Sequence, residues 1–218
     1  MNDSFWHERW ESDRIGFHQQ EVSPYLKSHW RRLELGKNTG VLVPLCGKSH
    51  DMNWLWQQDH SVLGVELSPI AVRAFFEEND ISAASGEEHP FSSLQNGGLK
   101  LLCGDFFALT PEHTQGISAV YDRASLIAFP PDFRVKYAQH LTSLIGQGSH
   151  LLLITIDYPQ EEMKGPPFSV TEKEVQELFS EHFSVQILES KDVLQENGRF
   201  LSRGVSRLSE NVFMLKRH

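Results

Sequence analysis

Two cysteines, Cys46 and Cys103, are all that the 218 residues contain. So few exclude a disulfide framework and read as reduced thiols of a cytoplasmic protein. No C-x-x-C or H-E-x-x-H occurs and the 11 histidines are scattered, so no zinc site, and no metal, is expected. No lysine- or arginine-rich block appears, and the formal net charge is −9. The basic footprint that nucleic acid or an anionic membrane requires is therefore missing. The N-terminus has no apolar signal region and no apolar run approaches about 18 residues, so the protein is expected to be cytoplasmic. What is left is a soluble domain, expected as a monomer, whose partner is a small molecule.

Two nucleotide-binding fingerprints are absent as well. Gly47-Lys48-Ser49 ends like a phosphate-binding P-loop, but the position of its first glycine is Leu42, and no G-x-G-x-x-G is present. What is present is the run Val41-Leu42-Val43 followed by Pro44, Leu45, Cys46 and Gly47, a buried strand feeding a tight loop. In an open α/β sheet the loop at the carboxyl end of the first strand is where a nucleotide-like ligand sits.

Composition, with 39% hydrophobic and 22% charged residues, is ordinary for a globular protein. The chain is expected to form one domain over residues 1–218, with residues 1–35 as a helical extension. Phe5, Trp6 and Trp10 share a helical face there, and Ser23-Pro24 opens a second helix bearing Leu26, Trp30 and Leu33. These tryptophans either staple the extension to the body or form a lid over the ligand. Strands are expected at Val41–Val43, Ser61–Leu67, Leu99–Cys103, Ala119–Tyr121 and Leu151–Ile156. Helices are expected from His50, from Ser68-Pro69, at Pro131–Ile145 and from Thr171, where Glu174 completes a capping-box spacing. Residues 82–98 read as a loop insertion. Val185–Leu188 and Asn211–Leu215 close the chain as an antiparallel pair with no helix between them. The alternation means an α/β sandwich around a mostly parallel, seven-stranded sheet.

Glu66 ends the second strand, 19 residues after Gly47. A carboxylate there accepts both hydroxyls of a ribose; otherwise it is a strand-end acid. With the Leu45–Gly47 turn and no phosphate loop, it points to S-adenosylmethionine rather than NAD or ATP. Gly104-Asp105-Phe106-Phe107 follows the third strand. Asp105 can bond an exocyclic amine and Phe106 can cover a purine face, or the segment is a plain turn over core phenylalanines. Tyr121-Asp122-Arg123 ends the fourth strand, where Arg123 can hold an anionic acceptor or pair structurally with Asp122.

Pro44-Leu45-Cys46-Gly47-Lys48-Ser49, Gly64-Val65-Glu66, Tyr121-Asp122-Arg123, Gly165-Pro166-Pro167-Phe168 and Gly16-Phe17-His18-Gln19 together resemble the thiopurine S-methyltransferase family, its bacterial branch most closely. The resemblance runs from about Trp10 to the last strand. It implies the class I S-adenosylmethionine-dependent methyltransferase (Rossmann-like) fold and cofactor contacts at Trp10, Leu45, Glu66 and Arg123, with Asp105 and Phe106 along the adenine. Phe17 and the Pro166–Phe168 loop are implied to cover the acceptor. The N-terminal lid gains weight accordingly. The implied reaction is methyl transfer to a thiopurine or another aromatic or heterocyclic thiol, leaving S-adenosylhomocysteine. In bacteria it extends to selenium and tellurium species. In-line alignment is the main demand, since an aromatic thiol ionises near neutral pH without a strong base. Arg123 would favour the anionic acceptor, and Cys46 is a buried neighbour of the cofactor rather than a nucleophile. The rival reading is a catalytically silent adenosine-binding module of the same fold.

Overall fold

Trp10, Trp30 and Leu33 of the N-terminal extension are all buried in the computed structural model, which describes residues 3–218. Helix α1 spans Asp3–Glu11 and α2 spans Pro24–His29, the latter running into a 3₁₀ turn at Trp30–Leu33. Pro24 takes the first position of α2, and the Ser23 hydroxyl accepts the Leu26 N–H at 3.5 Å. The Ser23 N–H in turn donates to the buried Asp51 carboxylate at 2.7 Å. Trp30 Nε1 donates to His60 Nε2 at 2.9 Å. Residues 23–33 are thus bolted down by two buried polar contacts as well as by Leu26, Trp30 and Leu33.

The second of these contacts requires a neutral imidazole, because a protonated ring has no lone pair to offer. Burial pushes the His60 imidazole below its usual range, with Asp59 pulling weakly the other way. A depressed histidine pKa means that the unfolded chain binds the proton more tightly. The stability is therefore full above about pH 6.5 and is lost as pH falls through the folded value. Melting temperatures should drop from about pH 7.5 to about pH 5.5, and drop less in His60→Gln; equal slopes would show that this contact is not the sensitive group.

The chain then forms β1 (Gly40–Pro44), α3 (His50–Gln57), β2 (Ser61–Glu66) and α4 (Pro69–Glu78). Serines cap both helices, Ser49 accepting from Asp51 N–H at 3.2 Å and Ser68 from Ala71 N–H at 3.4 Å. Next come β3 (Ala84–Glu88), β4 (Phe91–Asn96), β5 (Leu99–Cys103) and β6 (Ile117–Asp122). The expected loop insertion at 82–98 is therefore wrong: it is a hairpin laid antiparallel on β5, and among the described residues the strands number nine instead of seven. Its outer strand, Ala84-Ser-Gly-Glu-Glu, is exposed and carries no apolar alternation, so pattern reading passes over it. The legible signal is Asn96-Gly97-Gly98, a two-residue hairpin turn with Gly97 at φ +53° joining β4 to β5.

Two compact units result, one ending at Val120 and one running from Tyr121 to His218. In the first, the strand order is β3-β4-β5-β2-β1-β6. β1 pairs in parallel with β2 and β6, and β2 pairs in parallel with β5. β1 is buried along its whole length, as strands covered on both faces must be.

The second unit holds α5 (Pro131–Leu144), β7 (His150–Asp157), α6 (Glu172–Phe179), β8 (Phe183–Asp192), α7 (Gly198–Leu201) and β9 (Ser209–Arg217). β9 lies antiparallel between β7 and β8, as expected for the closing pair. Contrary to expectation, the link between them is not bare loop. It contains a 3₁₀ turn at Leu194–Glu196 and the four-residue α7. Val193, Leu194, Phe200, Val205 and Leu208 from this link pack with Ile156, Tyr158 and Met163, at spacings too irregular for periodicity to reveal. Among the described residues, no helix is long and apolar enough to cross a membrane.

Candidate active site

At the carboxyl end of β1 the backbone turns through two left-handed residues, Leu45 at φ +46° and Gly47 at φ +54°. Glycine takes that conformation freely, whereas for leucine it costs about 1–2 kcal/mol. Strain of this kind is held where the surroundings insist on it. Here the Cys46 N–H donates to Val65 O at 3.0 Å, and the Gly47 N–H donates to Glu66 Oε2 at 2.8 Å.

Glu66 is 7% exposed and accepts the Ser68 N–H on Oε1 at 2.8 Å. Each carboxylate oxygen thus accepts a backbone N–H, and the Leu67 N–H adds to the pull on the group. Burial pushes the Glu66 carboxyl above its usual range, against the pull of the Ser68 and Gly47 N–H groups and the charge of His7. Cys46 is pushed well up, first by burial and then by Glu66. A thiol so firmly protonated is packing, not nucleophile, which agrees with the sequence reading.

Helix α1 lies over this loop. A Cβ placed on Gly47 would come within 3.2 Å of the Trp10 ring. Trp10 itself meets Phe17 edge to face with centroids 5.6 Å apart, and Trp6 meets the same phenylalanine at 5.7 Å. Trp10 and Phe17 are thus brought together above the Leu45–Gly47 turn. Trp6, one helical turn before Trp10, belongs to the cluster and was visible as part of that apolar face. Gly47→Ala combines a strained φ with a crowded Cβ. It should lower stability by about 1–2 kcal/mol and displace Trp10; an unshifted melting temperature and tryptophan emission would contradict this.

Lys48 does not face a phosphate loop. Its ammonium, largely covered, binds Glu78 at 2.6 Å at the far end of α4, a strut for the turn that nothing in the sequence pattern announces. Asp105 is exposed, and its Oδ1 accepts the Phe107 N–H at 2.9 Å, capping the 3₁₀ turn Phe106–Ala108. Phe106 is 4% exposed and meets Phe107 edge to face at 5.6 Å. β5 pairs with β2 so that Cys103 lies opposite Glu66, and the Gly104 N–H donates to Glu66 O at 2.9 Å. The Asp105 turn therefore opens beside the Glu66 strand end.

In the second unit, Arg123 is half-buried directly after β6. Asp122 is 1% exposed and accepts from Ser125 N–H at 2.8 Å and from the Tyr137 hydroxyl at 2.7 Å. The Gly165–Phe168 loop is tied to the Leu126–Ala128 turn by Phe168 N–H donating to Ile127 O at 2.7 Å, and to Tyr158 by its hydroxyl donating to Pro167 O at 2.7 Å. Of the three nearby arginines, Arg207 binds Asp157 at 3.2 Å and Arg203 lies 3.2 Å from the Met163 sulfur. Arg199 sits in α7.

The first-unit arrangement fits S-adenosylmethionine. It offers a carboxylate at the strand end, a glycine where a ligand must approach the backbone, and aromatic faces of the kind that attract a cation.

The whole chain, residues 1–218, matches the family model described as Thiopurine S-methyltransferase (TPMT). A protein of Nitrosospira multiformis named Thiopurine S-methyltransferase is 49% identical over 215 residues, 99% of this chain and 98% of that relative. One of the same name from Pseudomonas paraeruginosa is 50% identical over 217 residues, covering both chains completely. Among solved structures, Burkholderia thailandensis 1,6-didemethyltoxoflavin-N1-methyltransferase, with its substrate and S-adenosylhomocysteine bound, superposes with a TM-score of 0.68 at 15% identity, over 99% of this chain and 86% of that one. An S-adenosylmethionine-dependent methyltransferase of Anabaena variabilis gives 0.65 at 15% identity, over 99% and 95%. Both share the fold, which is the class I Rossmann-like one.

Proposed function

Because the chain belongs to the thiopurine S-methyltransferase family, we propose that it methylates the sulfur of thiopurines and of other aromatic or heterocyclic thiols. It is an S-adenosylmethionine-dependent enzyme, and its product is S-adenosylhomocysteine. When bound, the cofactor supplies a methyl group on a positively charged sulfur. The observation that carries the reading is the buried Glu66 carboxylate at the end of β2, fixed by the Gly47 and Ser68 N–H groups beside the Leu45–Gly47 turn. In this proposal Glu66 takes the ribose hydroxyls and the Leu45 turn presents backbone to the cofactor. Trp10 covers it, and Asp105 and Phe106 flank the adenine. Arg123 contacts the cofactor and keeps the acceptor anionic, because a guanidinium favours thiolate over thiol. Phe17 and the Pro166–Phe168 loop cover the acceptor and keep water out. The protein's work is alignment, which can supply several kcal/mol without a dedicated base.

The same soft-nucleophile chemistry extends the proposal to reduced selenium and tellurium species, and so to metalloid detoxification by a cytoplasmic monomer. The helical N-terminal extension, residues 1–35, would act as the lid, since Trp10 lies against the Gly47 turn. The test is transfer of radiolabelled methyl from S-adenosylmethionine to 6-mercaptopurine, an aromatic thiol, selenite and a catechol. Label on the thiols is the expected result. Cofactor binding without label on any acceptor would favour a silent binding module, and label on the catechol alone would overturn sulfur as the acceptor.

A further inference from the structure

Arg123 and Ala124 lie between Asp122, the last residue of β6, and the 3₁₀ turn at Leu126–Ala128. Several contacts that shape this short arc converge on one carboxylate. Asp122 Oδ1 accepts the Ser125 N–H at 2.8 Å and the Leu126 N–H at 3.4 Å, closing the arc on itself. Oδ2 accepts the hydroxyl of Tyr137, a fully buried side chain in the middle of α5. One helical turn earlier on α5, Arg134 Nε donates to the carbonyl of Phe129 at 2.9 Å, just beyond the 3₁₀ turn. The Phe129 ring packs against Tyr137 with centroids 5.2 Å apart. Both ends of residues 122–129 therefore hang from one face of α5. Buried polar groups in a small closed network fix position strongly, because each alternative geometry leaves a donor or acceptor unpaired.

We propose that Asp122 and Tyr137 are positioning residues for methyl transfer: through this clamp, α5 sets the backbone from which Arg123 projects. Tyr137 thereby acts on the chemistry from inside the core. The inference rests on the reading that Arg123 meets the cofactor. Tyr137→Phe removes one hydroxyl and keeps the ring stacked on Phe129. It removes one donor from Oδ2 of Asp122, leaves the Ser125 hydroxyl on that carboxylate, and slackens the arc.

The experiment compares wild type, Tyr137→Phe, Arg123→Ala and the double variant by calorimetry with S-adenosylhomocysteine and by transfer to 6-mercaptopurine. Tyr137→Phe is expected to lower cofactor affinity and kcat/KM, each about tenfold, and to add no further loss of affinity to Arg123→Ala. A residue that only stabilises the core would lose the same factor in both backgrounds, and that additive result would overturn the proposal. So would full activity in Tyr137→Phe. Unchanged affinity and activity in Arg123→Ala would overturn the reading of Arg123 itself, a different failure, and the clamp with it. If Tyr137→Phe does not fold, the same cycle run with Asp122→Asn decides by the same criteria.

Discussion

Glu66→Ala should weaken binding of S-adenosylhomocysteine by roughly tenfold to 100-fold, on the order of 1–3 kcal/mol. In the proposed role two hydrogen bonds from the ribose hydroxyls are lost, and the Leu45–Gly47 turn loses its anchor, because the Gly47 and Ser68 N–H groups both end on this carboxylate. Glu66→Gln separates these effects. Its amide retains one acceptor oxygen but turns a donor toward one of the two backbone donors, so part of the loss persists at unchanged size. Calorimetric titration reads both, and wild-type affinity in Glu66→Ala would return Glu66 to an ordinary strand end. The raised carboxyl also predicts a pH effect. The ribose hydroxyls need an anionic acceptor, so affinity should fall as pH drops through the raised Glu66 value, above the usual carboxylate range. Stability of the free protein moves oppositely. The folded state holds this proton more tightly than the unfolded chain, so the cost of the buried charge is full above the folded pKa. That cost disappears as pH falls toward the unfolded value. Opposite slopes for binding and free-protein stability in that window, both flattened in Glu66→Gln, are the expected signature.

The largest effect on stability should come from Glu174→Ala, about 3 kcal/mol in urea unfolding. Arg134 is 1% exposed, and its Nη1 lies 2.5 and 2.7 Å from the two Glu174 oxygens. Its Nη2 is buried without a hydrogen-bond partner. Removing the acid strands a buried guanidinium. Arg134→Met leaves behind an acid whose side chain is 26% exposed and can hydrate, so it should cost less, about 1–2 kcal/mol. The order of the two losses is the check: an Arg134→Met loss larger than that of Glu174→Ala would show that packing, not charge, dominates.

Much of the site was legible because its demands are local. A strand ending in Pro44, a glycine at 47 and an acid at 66 are spaced by the βαβ geometry itself, and the structure brings the last two to 2.8 Å. Ser68-Pro69 announces a helix start by side chain and φ alone, and the Ser68 cap forms as read. Partners far apart in sequence were not legible. Lys48 and Glu78, or Tyr137 and Asp122, carry no pattern that names one for the other. Their pairing follows from the tertiary course of the chain. The hairpin at 84–96 was missed because its outer strand is exposed and lacks apolar alternation, although Asn96-Gly97-Gly98 marked the turn that joins it to β5.

With the Leu45 turn presenting backbone to the cofactor, as proposed, its strained backbone sets durability against catalysis. A glycine or asparagine at 45 would relieve the left-handed backbone, so a selection that rewards heat resistance alone should return one of them. The same change would loosen the turn that the strained leucine holds against β2. Variants enriched for ruggedness at this position should therefore be the sluggish ones. A screen scored only by survival would steadily trade away the loop's rigidity.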